Sequence, residues 1–199
     1  MVTERGQIHS LEAVIAALLI VGGLLFASQA TAVTPLSAST SNQHIENQQQ
    51  TMANDLLAIT AANGTLQEAL LYWNVSESAF IDANAELGHY SGSPPPGHPL
   101  HDAFSQTFEG GLYAYNIELR TVDERGGFDS TQLIHMGTPS DNAVTATTTV
   151  TLYNFDTIDG DGPRLDEMDG ESEFWTDPHS NETASVYTTV EVRMTIWRM

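Results

Sequence analysis

The sequence predicts an α+β fold: an amino-terminal hydrophobic helix continuing to a helical stalk, packed on a mainly antiparallel sheet of about four strands. Three observations lead there. Residues 13–27 form an unbroken apolar run. Apolar residues at helical spacing continue to about residue 108. From residue 112 onward apolar residues recur at every second position. A long helix laid on an antiparallel sheet covers both apolar faces at once.

The first element is written in residues 1–33, MVTERGQIHSLEAVIAALLIVGGLLFASQATAV. Leu11 to Ala30 as a helix spans about 30 Å at 1.5 Å per residue, enough to cross a bilayer. Glu12 stands at the edge of that run, where a carboxylate in lipid costs up to roughly 3 kcal/mol. A charge there needs a reason. An ordinary secretory signal would use Ala30-Thr31-Ala32 as a small-x-small cleavage site. Residues 1–12 hold Glu4, Arg5 and Glu12, however, and lack the positive excess such a signal uses. A plain uncleaved anchor accounts for the length and leaves Glu12 unexplained. Gly23 and Ala27 make a small-xxx-small pair, which permits close helix packing.

After Pro35, a Ser/Thr-rich hinge at 37–42 leads into a helix whose apolar face carries Ile45, Met52, Leu56 and Ile59. Gln48-Gln49-Gln50 falls on its polar, solvated side, and Asn63-Gly64 ends it. Thr65 with Glu68 three residues later is a capping box for a short helix through Leu70, Leu71 and Trp73. A second short helical stretch is expected around 79–87. Residues 91–99, SGSPPPGHP, form a stiff proline-rich loop. Leu100, Phe104 and Phe108 recur at four-residue intervals, the mark of a short amphipathic helix before Gly110-Gly111.

Everything beyond reads as strand. LYAYNIELRTV (112–122) alternates Tyr113, Tyr115, Ile117 and Leu119 on one face, and DERGGFD turns it into a second strand near 131–136. Residues 143–155 alternate Val144, Ala146, Thr148, Val150 and Leu152. The last strand, 185–198, alternates Val186, Thr188, Val190, Val192, Met194 and Ile196.

Composition restricts the function. The chain has 26 acidic residues against six basic ones and a net charge of −20. All six are arginine (Arg5, Arg120, Arg125, Arg164, Arg193, Arg198), and there is no lysine. Self-repulsion of that size is largely screened in molar salt, where the Debye length is about 3 Å, so concentrated salt is the expected solvent. Nucleic acid is excluded as a partner, because a phosphate-binding face needs clustered cations. Without cysteine there are no thiolate metal sites, disulfides or cysteine nucleophiles.

Residues 156–173, DTIDGDGPRLDEMDGESE, are the densest acidic stretch. Asp159, Asp161 and Asp166 on glycine-rich turns have the oxygen chemistry of a hard-cation loop, but glycine and glutamate are not at EF-hand spacing, and a solvated acidic loop is the reading. His89, His98, His101 and Asp102 straddle the proline-rich loop without zinc-site spacing. No GxSxG elbow, P-loop or dinucleotide fingerprint is present, so neither catalysis nor a cofactor is expected. Trp73, Trp175 and Trp197 read as core or interface aromatics. Sequons at Asn63, Asn74 and Asn181 permit N-glycosylation.

Arg5-Gly6-Gln7 followed by Ser10, Glu12 and the apolar run resembles the class III signal of archaeal type IV pilins and pilin-like proteins. Together with SNQHIENQQQ, NGTLQEALLYWN, PSDNAVTATTTVTLYN and VEVRMTIWRM, the chain resembles a family of haloarchaeal pilin-like membrane proteins of undetermined function. The resemblance implies a leader over 1–6, cut between Gly6 and Gln7 by a class III leader peptidase. It implies a retained transmembrane or assembly helix over 7–33 and an extracellular acidic head over 34–199, helical to about 110 and β-rich after it. Glu12 would pair with a neighbouring subunit's terminal amine, a charge-assisted contact that offsets burial. Counted from Gln7, Glu12 is sixth, where the pilin glutamate is fifth; either cleavage falls one residue later or the pairing geometry differs. The implied partners are the membrane, the leader peptidase and like subunits or other pilin-like proteins. A monomeric membrane-anchored ectodomain that binds a ligand or partner is the alternative.

Overall fold

The structure is a computed structural model that describes residues 3–108, 110–122, 126–168, 173–178 and 185–199, leaving aside the side chains of 3–10 and 28–42. The described fold is α+β with a four-stranded antiparallel sheet. Two compact units divide the chain, 1–45 and 46–199.

The first unit is helical. Helix α1 is assigned over Thr3–Ala62 and contributes residues to both units. The hinge expected at 37–42 does not interrupt it. Every described side chain from 11 to 27 is exposed.

The second unit begins with the last turns of α1. Its buried face matches the expected one in part: Leu56 is buried and Met52 packs against the core as expected, but Ala53, Leu57 and Thr60 are buried as well, and Ile59 is 62 % exposed. The Gln-rich stretch is also not simply a solvated face. Gln49 is only 2 % exposed, and Gln50 Nε2 donates to Thr145 O at 3.0 Å. Thr60 tolerates burial because its hydroxyl donates back to Leu56 O at 2.8 Å within the helix.

α1 ends as expected at Asn63-Gly64, where Gly64 takes φ +84°, a left-handed conformation that glycine adopts without cost. Helix α2 follows over Thr65–Leu71. The expected Thr65/Glu68 capping box does not form. Asn63 Oδ1 accepts the Thr65 N–H at 3.0 Å instead, because the left-handed turn at Gly64 brings that carbonyl over the first turn. The helix expected around 79–87 is absent: β1 (Trp73–Asn74) pairs antiparallel with β2 (Ala79–Phe80). Trp73 and Phe80 pack edge to face, with centroids 5.1 Å apart. Asn84 Oδ1 then closes a turn by accepting from Glu86 and Leu87 N–H. These side-chain bonds compete with helix, and burial of Phe80 decides the outcome.

Helix α3 (His101–Thr107) stands where expected, with Leu100, Phe104 and Phe108 buried. The sheet then forms from β3 (Tyr113–Val122), β4 (Phe128–His135), β5 (Val144–Tyr153) and β6 (Val186–Arg198). Its order is β4-β3-β6-β5, all antiparallel. On the inner face, register places Tyr115 opposite Ile196, Ile117 opposite Met194 and Leu119 opposite Val192. Ala146 opposes Met194 and Val150 opposes Val190. These residues share one core cluster with Leu56 and Leu57 of α1 and Leu70 of α2. On the outer face Thr147 opposes Arg193 and Thr149 opposes Glu191, and Arg120 pairs with Glu191 at 3.3 Å.

Candidate functional site

In the first unit the notable feature is the apolar segment itself. Leu11, Leu18, Leu19, Leu24 and Phe26 all lie between 64 % and 77 % exposed, and Glu12 is exposed at its start. A helix apolar on all sides is a buried or lipid-facing type. Among the described residues no helix is long and apolar enough to cross a membrane; the described side chains of this run are those of 11–27. Arg5, Gly6 and Gln7 fall within α1, with their side chains outside the described set.

In the second unit an open cavity of about 460 Å³ lies between α2 and the loop after β5. Leu71, Tyr72, Pro99 and Phe155 supply apolar wall; Gln67, Glu68, Asp156 and Asp159 supply polar groups. Asp156 holds its loop in place: its Oδ2 accepts from Gln67 Nε2 and from Tyr153 N–H, both at 2.8 Å. Phe155 stacks on Tyr153 with centroids 5.2 Å apart and is largely exposed. The Tyr72 hydroxyl is held above its ordinary pKa by burial first, then by the negative charges of Asp82 and Asp159. The cavity suits a polar, non-anionic ligand with an apolar part. The cavity is not legible in the sequence, because Gln67 and Asp156 are 89 positions apart and no local spacing signals the pairing.

The described part of the acidic loop is held by backbone bonds: Ile158 N–H donates to Pro163 O at 3.0 Å and Leu165 N–H to Asp156 O at 2.9 Å. Asp159 takes φ +47° within the 3-10 turn Ile158–Gly160, and Gly162 is required there because a Cβ would lie 2.6 Å from Ile158 O. Asp166 is paired with Arg164 at 2.7 Å. Among the described residues no group of three or more His, Asp or Glu side chains is arranged to hold a metal, so Asp159, Asp161 and Asp166 do not form one.

The histidines serve different places. His98 is 3 % exposed, set edge-on against Tyr72 and Tyr90 with centroids 5.2 and 4.9 Å away. Its Nδ1 accepts the Leu100 N–H at 3.1 Å. His101 Nδ1 lies 2.7 Å from Pro94 O, tying α3 to the proline-rich loop, and His89 packs against His135 instead. The tryptophans are structural: Trp73 Nε1 donates to Glu173 O and Trp175 Nε1 to Leu70 O.

Of the sequons, Asn63 is exposed and Asn74 half-buried. Each has its Oδ1 taken by the N–H two residues on, at 3.0 Å. That leaves Nδ2 as the atom a glycan would join. Asn181 lies outside the described residues. No curated protein and no solved structure matches the chain. One family does match, over residues 5–196: the chain belongs to the family of unknown function DUF7288.

Proposed function

We propose that this is a pilin-like cell-surface protein, a structural or accessory component of a type IV pilus-like assembly in an extreme halophile. In this reading a class III leader peptidase removes residues 1–6, and the apolar helix stays on the mature chain in the membrane. The acidic α+β head stands outside the cell. Helix α1 is then both membrane segment and stalk, with its last turns packed on the sheet. The mechanism is assembly, not catalysis. The observation that carries the reading is the all-round exposure of the large apolar side chains between Leu11 and Phe26, with one carboxylate, Glu12, at their start. Such a surface needs lipid or neighbouring copies around it. Paired with a neighbour's terminal amine, Glu12 makes a charge-assisted contact across the subunit boundary.

Mass spectrometry of the membrane fraction tests the processing step. A mature chain beginning at Gln7 and retaining residues 11–27 is expected, and a chain beginning at Val33 rejects the reading. The cavity beside α2 favours a second reading, a monomeric anchored ectodomain that binds a ligand. The two part at Glu12→Gln. A filament subunit loses recovery in sheared, high-molecular-weight material while cleavage and insertion persist; a tethered ectodomain inserts as well or slightly better.

A further inference from the structure

The two edges of the four-stranded sheet are built differently. At β4, Tyr90 covers the end of the edge: its N–H donates to Leu133 O at 3.0 Å and its carbonyl accepts from His135 N–H at 2.8 Å. The β4 pairing also carries an irregularity at Ile117/Glu118, and the strand bears the charge of Asp129. Covering, bulging and charging are the ways in which proteins blunt an exposed edge. β5 lacks all three over most of its length. Its sequence, VTATTTVTLY, contains no charged residue, proline or glycine, in a chain that holds 26 acidic and six basic residues. Its register with β6 is unbroken from Val144 to Leu152. Among the described residues the backbone that bonds to Val144–Leu152 is that of β6, while at the strand's end Tyr153 O accepts from Asp156 N–H at 2.9 Å.

Two observations show which backbone groups face out. Gln50 Nε2 reaches Thr145 O at 3.0 Å from outside the ladder. The Thr145 and Thr195 hydroxyls sit 3.1 Å apart, the close side-chain approach of a non-hydrogen-bonded antiparallel pair. Thr145 therefore turns its N–H and C=O away from β6, and alternation turns those of Thr147, Thr149 and Thr151 the same way. With Thr145 O taken by Gln50, Thr147 to Thr151 present roughly 17 Å of edge, at about 3.4 Å per residue, that is open among the described residues.

We propose that β5 is a docking strand for a second copy of this chain, the two β5 strands pairing antiparallel about a two-fold axis and extending the sheet from four strands to eight. Charge admits this occupant. With a Debye length of about 3 Å in molar salt, only like charges brought into contact still repel; two copies of a chain of net charge −20 avoid that where two uncharged β5 strands meet. A two-fold antiparallel pair is self-complementary by construction. The inference concerns the head's edge alone and holds whether or not the amino-terminal segment is processed or enters a filament.

The test uses the full chain in detergent and molar potassium chloride. Because it has no cysteine, Thr147→Cys and Thr149→Cys are single-site probes. A short bis-maleimide is expected to link dimers through these positions and not through Ser130→Cys on the opposite edge. Thr147→Pro removes an N–H that β6 does not use, and should weaken dimerisation by roughly tenfold with an unchanged circular dichroism spectrum. Thr147→Lys does the same should proline disturb the fold. A monomer at every concentration overturns the proposal, as does a dimer linked equally through Ser130→Cys. A dimer that survives both the proline and lysine changes overturns it too, since it is then held elsewhere or by another strand.

Discussion

Lowering the pH should unfasten the head at His98. Burial chiefly, and then the charge of nearby His101, bring the His98 pKa down from 6.5 to about 4. The cause is visible in the packing: the ring lies between Tyr72 and Tyr90, and Nδ1 must stay unprotonated to accept the Leu100 N–H. Because the folded-state value lies below the unfolded one, the unfolded chain binds the proton more readily. The stabilising contribution is complete above pH ~6.5 and disappears as the pH falls toward ~4. A difference of about 2.5 pKa units at ~1.36 kcal/mol each amounts to about 3 kcal/mol lost across that window. Exposure of 3 % leaves little solvent screening to reduce it. Denaturant unfolding at fixed molar salt, at pH 7 and pH 4.5, measures the loss. His98→Asn keeps an acceptor for the Leu100 N–H but does not titrate there. It should be less stable at pH 7, having lost ring contacts, and flatter between pH 7 and 4.5 by most of that amount. The acidic residues titrate in both proteins and cancel in the difference. Equal pH slopes for wild type and variant would refute the assignment.

Leu57→Ala should destabilise the head by about 3 kcal/mol in thermal or denaturant unfolding, because the side chain is fully buried, whereas Ile59→Ala two positions on should cost less than about 0.5 kcal/mol. Reversal of that order would mean that α1 presents its other face. Gly64→Ala should cost about 1 kcal/mol, since φ +84° suits glycine and strains alanine; an unchanged midpoint would show that the turn relaxes. Moving the protein from molar to millimolar salt should cooperatively abolish the head's share of its circular dichroism signal, as screening of a net charge of −20 is withdrawn. A spectrum that is the same in both would count against a halophilic surface.

The sheet's strands were legible in the sequence because side-chain direction alternates locally: Tyr115, Ile117 and Leu119 point inward whatever lies beyond them. So was α3, whose apolar residues at four-residue spacing share one helix face, and so was the end of α1, where Asn63-Gly64 is a chemical stop. Strand order was not legible. β6 is last in the chain yet central in the sheet, between β3 and β5, and which strands lie at the edges follows from contacts between residues far apart in sequence. The same reason governs Gln49 and Gln50. Glutamine is polar wherever it stands, but only the tertiary packing beside β5 brings one under cover and aims the other at Thr145 O. Residues 79–87 carry helix-compatible composition, and burial of Phe80 against Trp73 outweighs it. The cavity depends on Gln67 meeting Asp156 from distant segments. The apolar run at 11–27 with its single carboxylate, Glu12, and the charge of −20 belong to the sequence alone, because hydropathy and net charge are sums over residues. The uncharged strand could be read there as well; that it forms an open edge was decided by the fold.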